Sequence, residues 1–291
     1  MVLTENRKLR FFAFTAFYFA QGVPIGLLTI AIPKWLGVGV GEVAAYQATV
    51  ALPWAFKLVA GPFMDRFTFL AMGFRRPWVL GAQGGLTLSF LALGLISDPG
   101  PGNLLGLVVV AFVINAFAAT QDVAVDGMAI DILPEDERGR ANALMAFGQV
   151  AGYAAFGALC GALLSVIGLA ATAAVCAATV GMIFLLVASV TERPGERRFP
   201  WSDGRASAVA RRSDPSVVSI FRDLVRVLIL PMSLLLTGVE FLNRVRDGIA
   251  SAVFPVFATE ELGMSDAAYA SFIGIASFAA ALIGAACGPL V

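Results

Sequence analysis

Long apolar segments are the feature that most constrains this chain. Eight stretches of about 20 residues or more are apolar enough to cross a ~30 Å hydrocarbon core as helices. They lie at residues 10–31, 42–63, 77–97, 103–131, 139–165, 168–190, 225–259 and 266–287. Only 14% of the residues are charged and the mean hydropathy is +0.84, values that soluble domains do not reach. The sequence therefore predicts an all-α polytopic membrane protein with about eight transmembrane helices.

The basic residues are distributed unevenly between the two predicted faces of the membrane. Sixteen of the 20 Lys and Arg residues fall on one face, in loops or at the adjoining ends of spans, and Lys34 alone falls on the other. The remaining three, Lys57, Arg244 and Arg246, lie within predicted spans. Because Lys and Arg gather in cytoplasmic loops, we expect a multi-pass protein of the cell (inner) membrane with a cytoplasmic N-terminus.

Residue types that carry much enzyme chemistry are absent or isolated. The chain has no histidine, and its three cysteines, Cys160, Cys176 and Cys287, all lie in apolar segments. These facts remove histidine-based triads and Cys/His metal sites. We therefore expect neither an enzyme nor a bound cofactor or metal. The net charge of zero, without a basic arm, also argues against a nucleic-acid partner.

One polar linker divides the apolar segments into a group of six and a group of two. Residues 191–222 are rich in arginine, proline, serine and glycine, a composition typical of a loop. We predict a six-helix bundle at 1–190, a cytoplasmic linker at 191–222 and a partial second unit at 223–291. The end of the linker, SVVSIFRDLVR, has the amphipathic pattern of a helix that lies along a membrane surface.

An internal repeat relates residues 37–66 to residues 263–291. The alignment pairs Ala44-Ala45-Tyr46 with Ala267-Ala268-Tyr269, and Gly61-Pro62 with Gly288-Pro289. Helices seven and eight therefore resemble a second copy of helices one and two, and repeated halves are typical of transporters. We expect four further helices of the second half to be missing from this sequence, and those helices to be partners of the chain.

Three predicted helices carry polar side chains on one face. Helix four has Asn115, Asp122 and Asp126 at offsets 0, 7 and 11, and helix five repeats these offsets with Asn142, Gln149 and Tyr153. Helix seven carries Ser233, Thr237, Glu240, Arg244, Asp247 and Ser251. Since positions three, four, seven and eleven residues apart share a helix face, each set predicts a face toward a hydrated interior.

Two interpretations of these charges remain open. Glu240 and Arg244 are in the favourable order for an intrahelical ion pair, and with Asp247 they could simply neutralise one another. Asp122 and Asp126 could pair with Lys57, Arg138 or Arg140 as a latch. Alternatively, one of the two carboxylates carries a proton, because neighbouring carboxylates raise one another's pKa and the chain has no histidine for this role.

Small residues and prolines predict where helices approach closely or bend. Gly148, Gly152, Gly157 and Gly161 form two small-xxx-small patterns on helix five, which favour close helix packing. Helices one, two and seven contain prolines that are expected to kink or break them. These prolines are Pro24, Pro53, Pro231 and Pro255.

The loop GPFMDRFTFLAMGFRRPW, residues 61–78, carries the most specific motif in the chain. It resembles the signature between helices two and three of the major facilitator superfamily, with extra residues inserted. The matching residues are Gly61, Asp65, Arg66, Gly73, Arg75 and Arg76. The segments YFAQGVPIGLLTIAIPKWL, LPWAFKLVAGPFMDR and ATQDVAVDGMAIDILPEDERGRAN resemble the branch of AmpG-like muropeptide permeases, acetyl-CoA transporters and siderophore importers.

The resemblance implies a transporter of two six-helix halves around a central cavity, usually driven by a proton gradient. This chain would then hold the N-terminal half and the first two helices of the second. The resemblance also implies that Asp65 and Arg66 stabilise a closed cytoplasmic gate.

We therefore hypothesise secondary active transport in a lipid bilayer, with proton-coupled uptake of a small or medium-sized polar or anionic solute. The charged pathway residues would be Asp122, Asp126, Glu240, Arg244 and Asp247, and the neutral lining Gln21, Asn115, Gln149 and Tyr153. Arg244 would meet an anionic group of the solute. The alternative is a non-transporting membrane protein: an assembly partner, a sensor or an inactive fragment of a longer carrier.

Overall fold

Helices form nearly all of the backbone in the computed structural model of the protein. The structure describes residues 1–36, 40–96, 104–204 and 217–264, together with Phe272, Ala276, Ala279, Ala280, Leu282, Ile283 and Gly284. Within these residues the β-type pairing is limited to one isolated bridge, between Val2 and Thr191. The predicted all-α class is confirmed.

Nine α-helices lie in the part of the chain that the structure describes. They are α1 (Arg7–Ile25), α2 (Ile32–Leu36), α3 (Val40–Ala55), α4 (Lys57–Arg66), α5 (Arg76–Leu93), α6 (Leu104–Ile132), α7 (Glu135–Ser189), α8 (Val217–Leu228) and α9 (Pro231–Val256). Two π-helical segments, Gly26–Ala31 and Phe257–Glu261, and one 3₁₀ turn, Leu70–Met72, complete the elements.

Length and apolarity identify three to five membrane spans among the described residues. Arg7–Ala31, Leu104–Ile132 and Glu135–Ser189 each qualify alone. Two bent pairs qualify when each is taken as one span: Gly41–Ala55 with Val59–Arg66, bent by 43°, and Arg222–Leu228 with Pro231–Arg246, bent by 70°. The third predicted segment is helical as α5, which falls outside these spans. The eighth, 266–287, lies outside the described residues except at isolated positions.

The longest helix, α7, contains a reversal of the chain at Gly168. This residue has φ 76° and ψ −178°, a backbone conformation that favours glycine. Cys160 and Cys176 lie on either side of it, and their sulfur atoms are 3.6 Å apart. A straight helix would separate residues 16 positions apart by about 24 Å. The chain therefore folds back at Gly168, as the adjacent predicted spans 139–165 and 168–190 require.

The Cα positions form two compact units. One comprises Met1–Ala210 with Ala280–Val291, and the other comprises Arg211–Ala279. The domain limits predicted at residues 190 and 223 stay a prediction.

Glycines set the close contact between α1 and α7 in the first unit. A Cβ atom added to Gly152 would lie 2.3 Å from the carbonyl oxygen of Phe19, and one added to Gly148 would lie 2.4 Å from that of Thr15. On α1, Gly22 meets the backbone of α7 equally closely. The predicted packing role is confirmed for Gly148, Gly152 and Gly157, whereas an added Cβ on Gly161 would have no neighbour within 4 Å among the described residues.

Each predicted proline is followed or preceded by an irregularity of the helix. Pro24 precedes the π-helical segment Gly26–Ala31, and Pro255 precedes the segment Phe257–Glu261. Pro53 lies just before the break between α3 and α4. Pro231 occupies the first turn of α9 directly after the 70° bend, where its missing N–H removes no helical hydrogen bond. Bends are thus confirmed next to Pro53, where the helix pair is bent by 43°, and next to Pro231. At Pro24 and Pro255 the irregularity is a π-helical segment, and a kink there stays a prediction.

Candidate solute pathway and charged loop cluster

Asp122 is a buried charged residue of the first unit. It lies on α6 and is 4% exposed. Lys57 of α4 forms an ion pair with its Oδ2, and Gln21 of α1 donates a hydrogen bond to its Oδ1. Because a charge inside a membrane costs several kcal/mol unless it is paired, the ion pair with Lys57 explains why the site is tolerated. One carboxylate thus joins three helices.

The polar chain continues from Gln21 to α7. Gln149 Nε2 donates to Gln21 Oε1, so the predicted lining residues Gln21 and Gln149 are in direct contact. The close α1–α7 packing at Gly22 and Gly152 brings the two amides together. Tyr153, the third predicted residue here, contributes its backbone to the same contact, since an added Cβ on Gly22 would lie 2.5 Å from its nitrogen.

Asn115 connects α6 to α3 through two hydrogen bonds. Its Nδ2 donates to the carbonyl oxygen of Val50 at 2.8 Å, and its Oδ1 accepts from the indole N–H of Trp54 at 3.2 Å. The Trp54 ring centroid lies 5.0 Å from the ammonium nitrogen of Lys57, within the range of a cation–π interaction. Asn115 therefore orients Trp54, which in turn supports the cation paired with Asp122.

Asp126 has a different environment from Asp122, one turn away. Its Oδ1 accepts a hydrogen bond from the Tyr18 hydroxyl of α1. Asp126 also lines an open cleft of about 270 Å³, together with Arg138, Asn142 and Met145. The two predicted carboxylates are thus not equivalent: Asp122 has the ion pair expected of a latch, and Asp126 faces open space.

Two further clefts follow the same side of α6. One, of about 200 Å³, includes Lys57 of α4 and Thr120 of α6, and the other, of about 170 Å³, includes Trp54 of α3 and Asn115 of α6. Each of the three clefts is lined in part by residues of α6, and Lys57 lines one of them.

The second unit contains the predicted charges of α9. Arg244 Nη2 lies 2.6 Å from Glu240 Oε1, and both side chains are more than half exposed. The predicted i,i+4 ion pair is therefore present. The side chain of Asp247 lies outside the described residues.

The signature loop brings three charges of the first unit together. Arg75 forms an ion pair with Asp65 at the end of α4, and its Nε lies 3.2 Å from Asp131 Oδ2 at the end of α6. The guanidinium also lies 4.7 Å from the ring centroid of Phe74. Gly127 leaves room for it, because a Cβ there would be 2.7 Å from Arg75 Nε. Arg75 thus connects the ends of α4 and α6.

Gly73 and Glu192 form the second part of this cluster. Glu192 is fully buried and accepts backbone N–H groups of Phe74 at 2.9 Å, Arg75 at 2.7 Å and Arg76. Gly73 has φ 110°, and a Cβ on it would lie 2.9 Å from the Glu192 carboxyl carbon. Only glycine satisfies both the backbone conformation and the space, which explains its place in the motif.

Arg76 joins this loop to the end of α7. Its fully buried guanidinium donates to the carbonyl oxygens of Val187 at 3.1 Å, Ala188 at 3.0 Å and Arg198 at 2.8 Å. Carbonyls in the last turn of a helix lack helical partners, so Arg76 supplies the missing donors. Arg76 is therefore a structural member of the motif.

Arg66 and Gly61 are the remaining residues of the motif. Arg66 lies 6.0 Å from the ring centroid of Phe67 and is exposed, and an added Cβ on Gly61 would find its nearest neighbour, Val123, at 3.8 Å.

Sequence reasoning missed several partners. Tyr18, Asp131 and Glu192 have no periodic signal, and each is recognisable only once the helices are packed. The ion pair of Arg10 with Glu137, at 2.7 Å, was missed as well. The sequence signal for this pair was a charged residue in the first turn of each helix, Arg10 in α1 and Glu137 in α7.

A bundle of apolar helices with paired charges inside it and a charged loop cluster at one end defines a multi-pass membrane protein. The family description Major Facilitator Superfamily matches residues 10–291. The chain belongs to this superfamily of membrane transporters.

Curated relatives match about half of the chain. The anhydromuropeptide permease of Escherichia coli strain K12 is 32% identical over 143 residues, which cover 48% of this chain and 29% of the relative. An uncharacterised protein of Haemophilus influenzae is also 32% identical over 143 residues, covering 48% of this chain and 32% of the relative. An uncharacterised membrane protein of Saccharomyces cerevisiae is 26% identical over 180 residues, with 52% and 31% coverage. The matches thus span about a third of these relatives' length.

Proposed function

We propose that this protein is a secondary active transporter of the inner membrane, oriented with a cytoplasmic N-terminus. Its solute would be a small or medium-sized polar or anionic molecule of the muropeptide type, taken up together with protons. The observation that carries the proposal is the buried Asp122, which is paired with Lys57 and linked through Gln21 to Gln149. Membership of the superfamily and the similarity to the anhydromuropeptide permease support it.

The Asp122–Lys57 pair is suited to couple a proton to an anion. When Asp122 is ionised, it neutralises the ammonium of Lys57. A proton on Asp122 removes that attraction, and Lys57, which borders the 200 Å³ cleft, then becomes available to an anionic group of the solute. Because Asp122 is buried, its charge is costly without a partner, whereas Lys57 is 36% exposed and can be solvated when the pair separates.

Asp126 and the α9 charges take supporting roles in the proposal. Asp126 would receive the proton on the side of the 270 Å³ cleft, with Tyr18 as its hydrogen-bond partner. In the second unit, Arg244 would meet an anionic group and Glu240 would balance it in the absence of solute. Asp247 stays a proposed member of the same set.

The cluster of Asp65, Arg75 and Asp131 is the proposed cytoplasmic gate. It holds the ends of α4 and α6 together through one guanidinium. Opening would require the loss of at least one of these ion pairs, while Gly73, Glu192 and Arg76 keep the loop folded.

Uptake in reconstituted vesicles tests the proposal. Labelled anhydromuropeptide should accumulate when the outside is acidic, and an uncoupler should abolish the accumulation. Asp122→Asn should reduce proton-driven uptake by at least tenfold. The matched control, Asp203→Asn in an exposed part of the linker, should leave uptake unchanged.

Uptake that is indifferent to the uncoupler and to Asp122→Asn would refute proton coupling. A lack of uptake for muropeptide, acyl-CoA and siderophore solutes would favour a non-transporting membrane protein.

A further inference from the structure

The short helix α8, which comes just before α9, has its polar and apolar positions fully separated. At about 100° per residue, its four polar positions fall within one arc of the helix. They are Ser219, Arg222, Asp223 and Arg226. The other eight positions are Val, Ile, Leu and Phe, and they occupy the opposite half of the circumference. Val225 and Val227 on this half are 54% and 56% exposed, so part of the apolar surface is uncovered in the described part of the chain.

The junction between α8 and α9 sets the direction of α8. The two helices are bent by 70°, and backbone hydrogen bonds hold the junction. Ile229 N donates to the Val225 carbonyl oxygen at 3.1 Å, and Leu230 N donates to that of Val227 at 3.2 Å. With 26 residues, α9 is about 39 Å long and can cross a ~30 Å hydrocarbon core without α8. Since transmembrane helices lie near the membrane normal, the bend leaves the α8 axis closer to the membrane plane than to the normal.

The polar side of α8 carries two guanidinium groups that can bind phosphate. Arg222 and Arg226 are exposed and four residues apart, so they lie one turn from each other on one side of the helix. Arg226 Nη1 lies 3.5 Å from Asp223 Oδ1, and both side chains of this pair are more than two-thirds exposed. An ion pair at this exposure is weak, so a phosphate can replace it. Guanidinium groups hold phosphate oxygens through two parallel hydrogen bonds.

Charge and apolarity together specify one partner for this surface. A neutral bilayer would accommodate the apolar side alone, whereas anionic headgroups would also pair with the arginines. We propose that α8 is an interfacial anchor for anionic phospholipids, with Arg222 and Arg226 at the level of the phosphates and the apolar side among the upper acyl chains. The amphipathic pattern by itself predicts only contact with a membrane surface; the arginines and the bend point to the charge of that surface. This binding does not depend on the proposed transport.

A fluorescent label on the full chain tests the position of α8. In a background with Cys160, Cys176 and Cys287 replaced by Ser, either Leu224→Cys or Ser219→Cys receives an environment-sensitive fluorophore. We expect the label on the apolar side, at position 224, to emit at shorter wavelength and to be quenched by acyl-chain nitroxides in vesicles that contain phosphatidylglycerol. The label on the polar side, at position 219, should show neither effect. Equal behaviour of the two labels would overturn the interfacial position.

Lipid composition and salt test the charge of the partner. For the label at position 224, quenching should rise with the fraction of phosphatidylglycerol in phosphatidylcholine and should fall as salt screens the arginines. Arg222→Gln combined with Arg226→Gln should raise the phosphatidylglycerol fraction needed for half-maximal quenching by at least about threefold. Asp223→Asn should lower this fraction, because it removes the acidic neighbour. The matched control Arg140→Gln, at an exposed position of α7, should leave it unchanged.

Two outcomes would overturn the proposal. Equal quenching in phosphatidylcholine and phosphatidylglycerol vesicles would show that α8 binds any bilayer. Quenching that ignores both salt and the two arginine substitutions would exclude the guanidinium groups as the binding residues. The lipid and salt series use the labelled chain with both arginines in place, so they give a result even where the arginine variant does not fold. Uptake is not measured, so a failure of the transport proposal leaves this test unaffected.

Discussion

Asp122 connects three helices and is also a proposed functional residue. Its two carboxylate oxygens hold α4 and α1 against α6, through Lys57 and Gln21. Removing either charge leaves the other in a poorly solvated place, which is far more costly than removing both. The pair is therefore expected to show strong energetic coupling.

A double-mutant cycle at this pair tests the coupling. Asp122→Asn or Lys57→Met alone should destabilise the protein by about 2 kcal/mol or more, since breaking a fully buried pair costs about 3–5 kcal/mol and Lys57 is 36% exposed. The double variant should recover at least half of the summed loss. Thermal unfolding in detergent measures the cycle, and strictly additive losses would contradict a direct ion pair.

The sequence predicted individual site residues according to the strength of their periodicity. Asp122, Gln149 and Asn115 were predicted because polar residues at helical spacing stand out against an apolar background. Glu192 was not, because its role depends on three backbone N–H groups of a loop more than 110 residues earlier. Contacts of this kind have no local pattern, so only packed coordinates reveal them.

At the scale of elements, the sequence predicted the helical hairpin within α7, and the structure gives the position of its turn. The apolar run from residue 139 to 190 is too long for one span, which predicted two helices with a boundary near SVIGLA. The positive φ of Gly168 and the contact of Cys160 with Cys176 place the reversal at this glycine. Periodicity could not locate it, because the pattern is apolar on both sides.

The cysteine pair allows the hairpin to be tested by cross-linking. In a Cys287→Ser background, a membrane-permeant dipyridyl disulfide should convert Cys160 and Cys176 to a protein disulfide by two exchange steps. Two pyridine thiols are released and the intact protein loses 2 Da. Cys160→Ser and Cys176→Ser controls should instead retain one mixed disulfide. Two mixed disulfides in the parent, without the 2 Da loss, would show that the halves of α7 do not meet here.

For the glycines between α1 and α7, the sequence pattern predicted more close contacts than the structure shows. The small-xxx-small pattern correctly indicated contact at Gly148, Gly152 and Gly157, but it also included Gly161, which has no close neighbour among the described residues. The pattern shows only where side chains are small, so it cannot tell which of these positions the neighbouring helix reaches.

For the whole molecule, a buried ion pair joins the beginning of the chain to the middle. Arg10 donates to both oxygens of Glu137, at 2.7 to 3.0 Å, and to the carbonyl oxygens of Leu3 at 2.9 Å and Thr4 at 2.8 Å. Leu3 N also donates to the carbonyl oxygen of Thr191 at 2.9 Å. The first helix is thus tied to both ends of α7.

Arg10→Met tests this connection. It should destabilise the protein by about 3 kcal/mol, because Glu137 then loses its main partner in a buried place. Protease sites in the first five residues should become accessible at lower denaturant concentration. Lys8→Met, at an exposed position two residues earlier, should change stability by less than about 0.5 kcal/mol. Equal effects of the two substitutions in thermal unfolding would contradict the structural role of Arg10.

The pairing of the first four residues with Thr191 and Glu192 also imposes an order on biosynthesis. The opening segment leaves the ribosome long before its partners have been translated. Its pairing with Thr191 and Glu192 therefore cannot form until the sixth apolar segment has been synthesised. Folding of the first unit is complete only when residues 1–4 pair with Thr191 and Glu192.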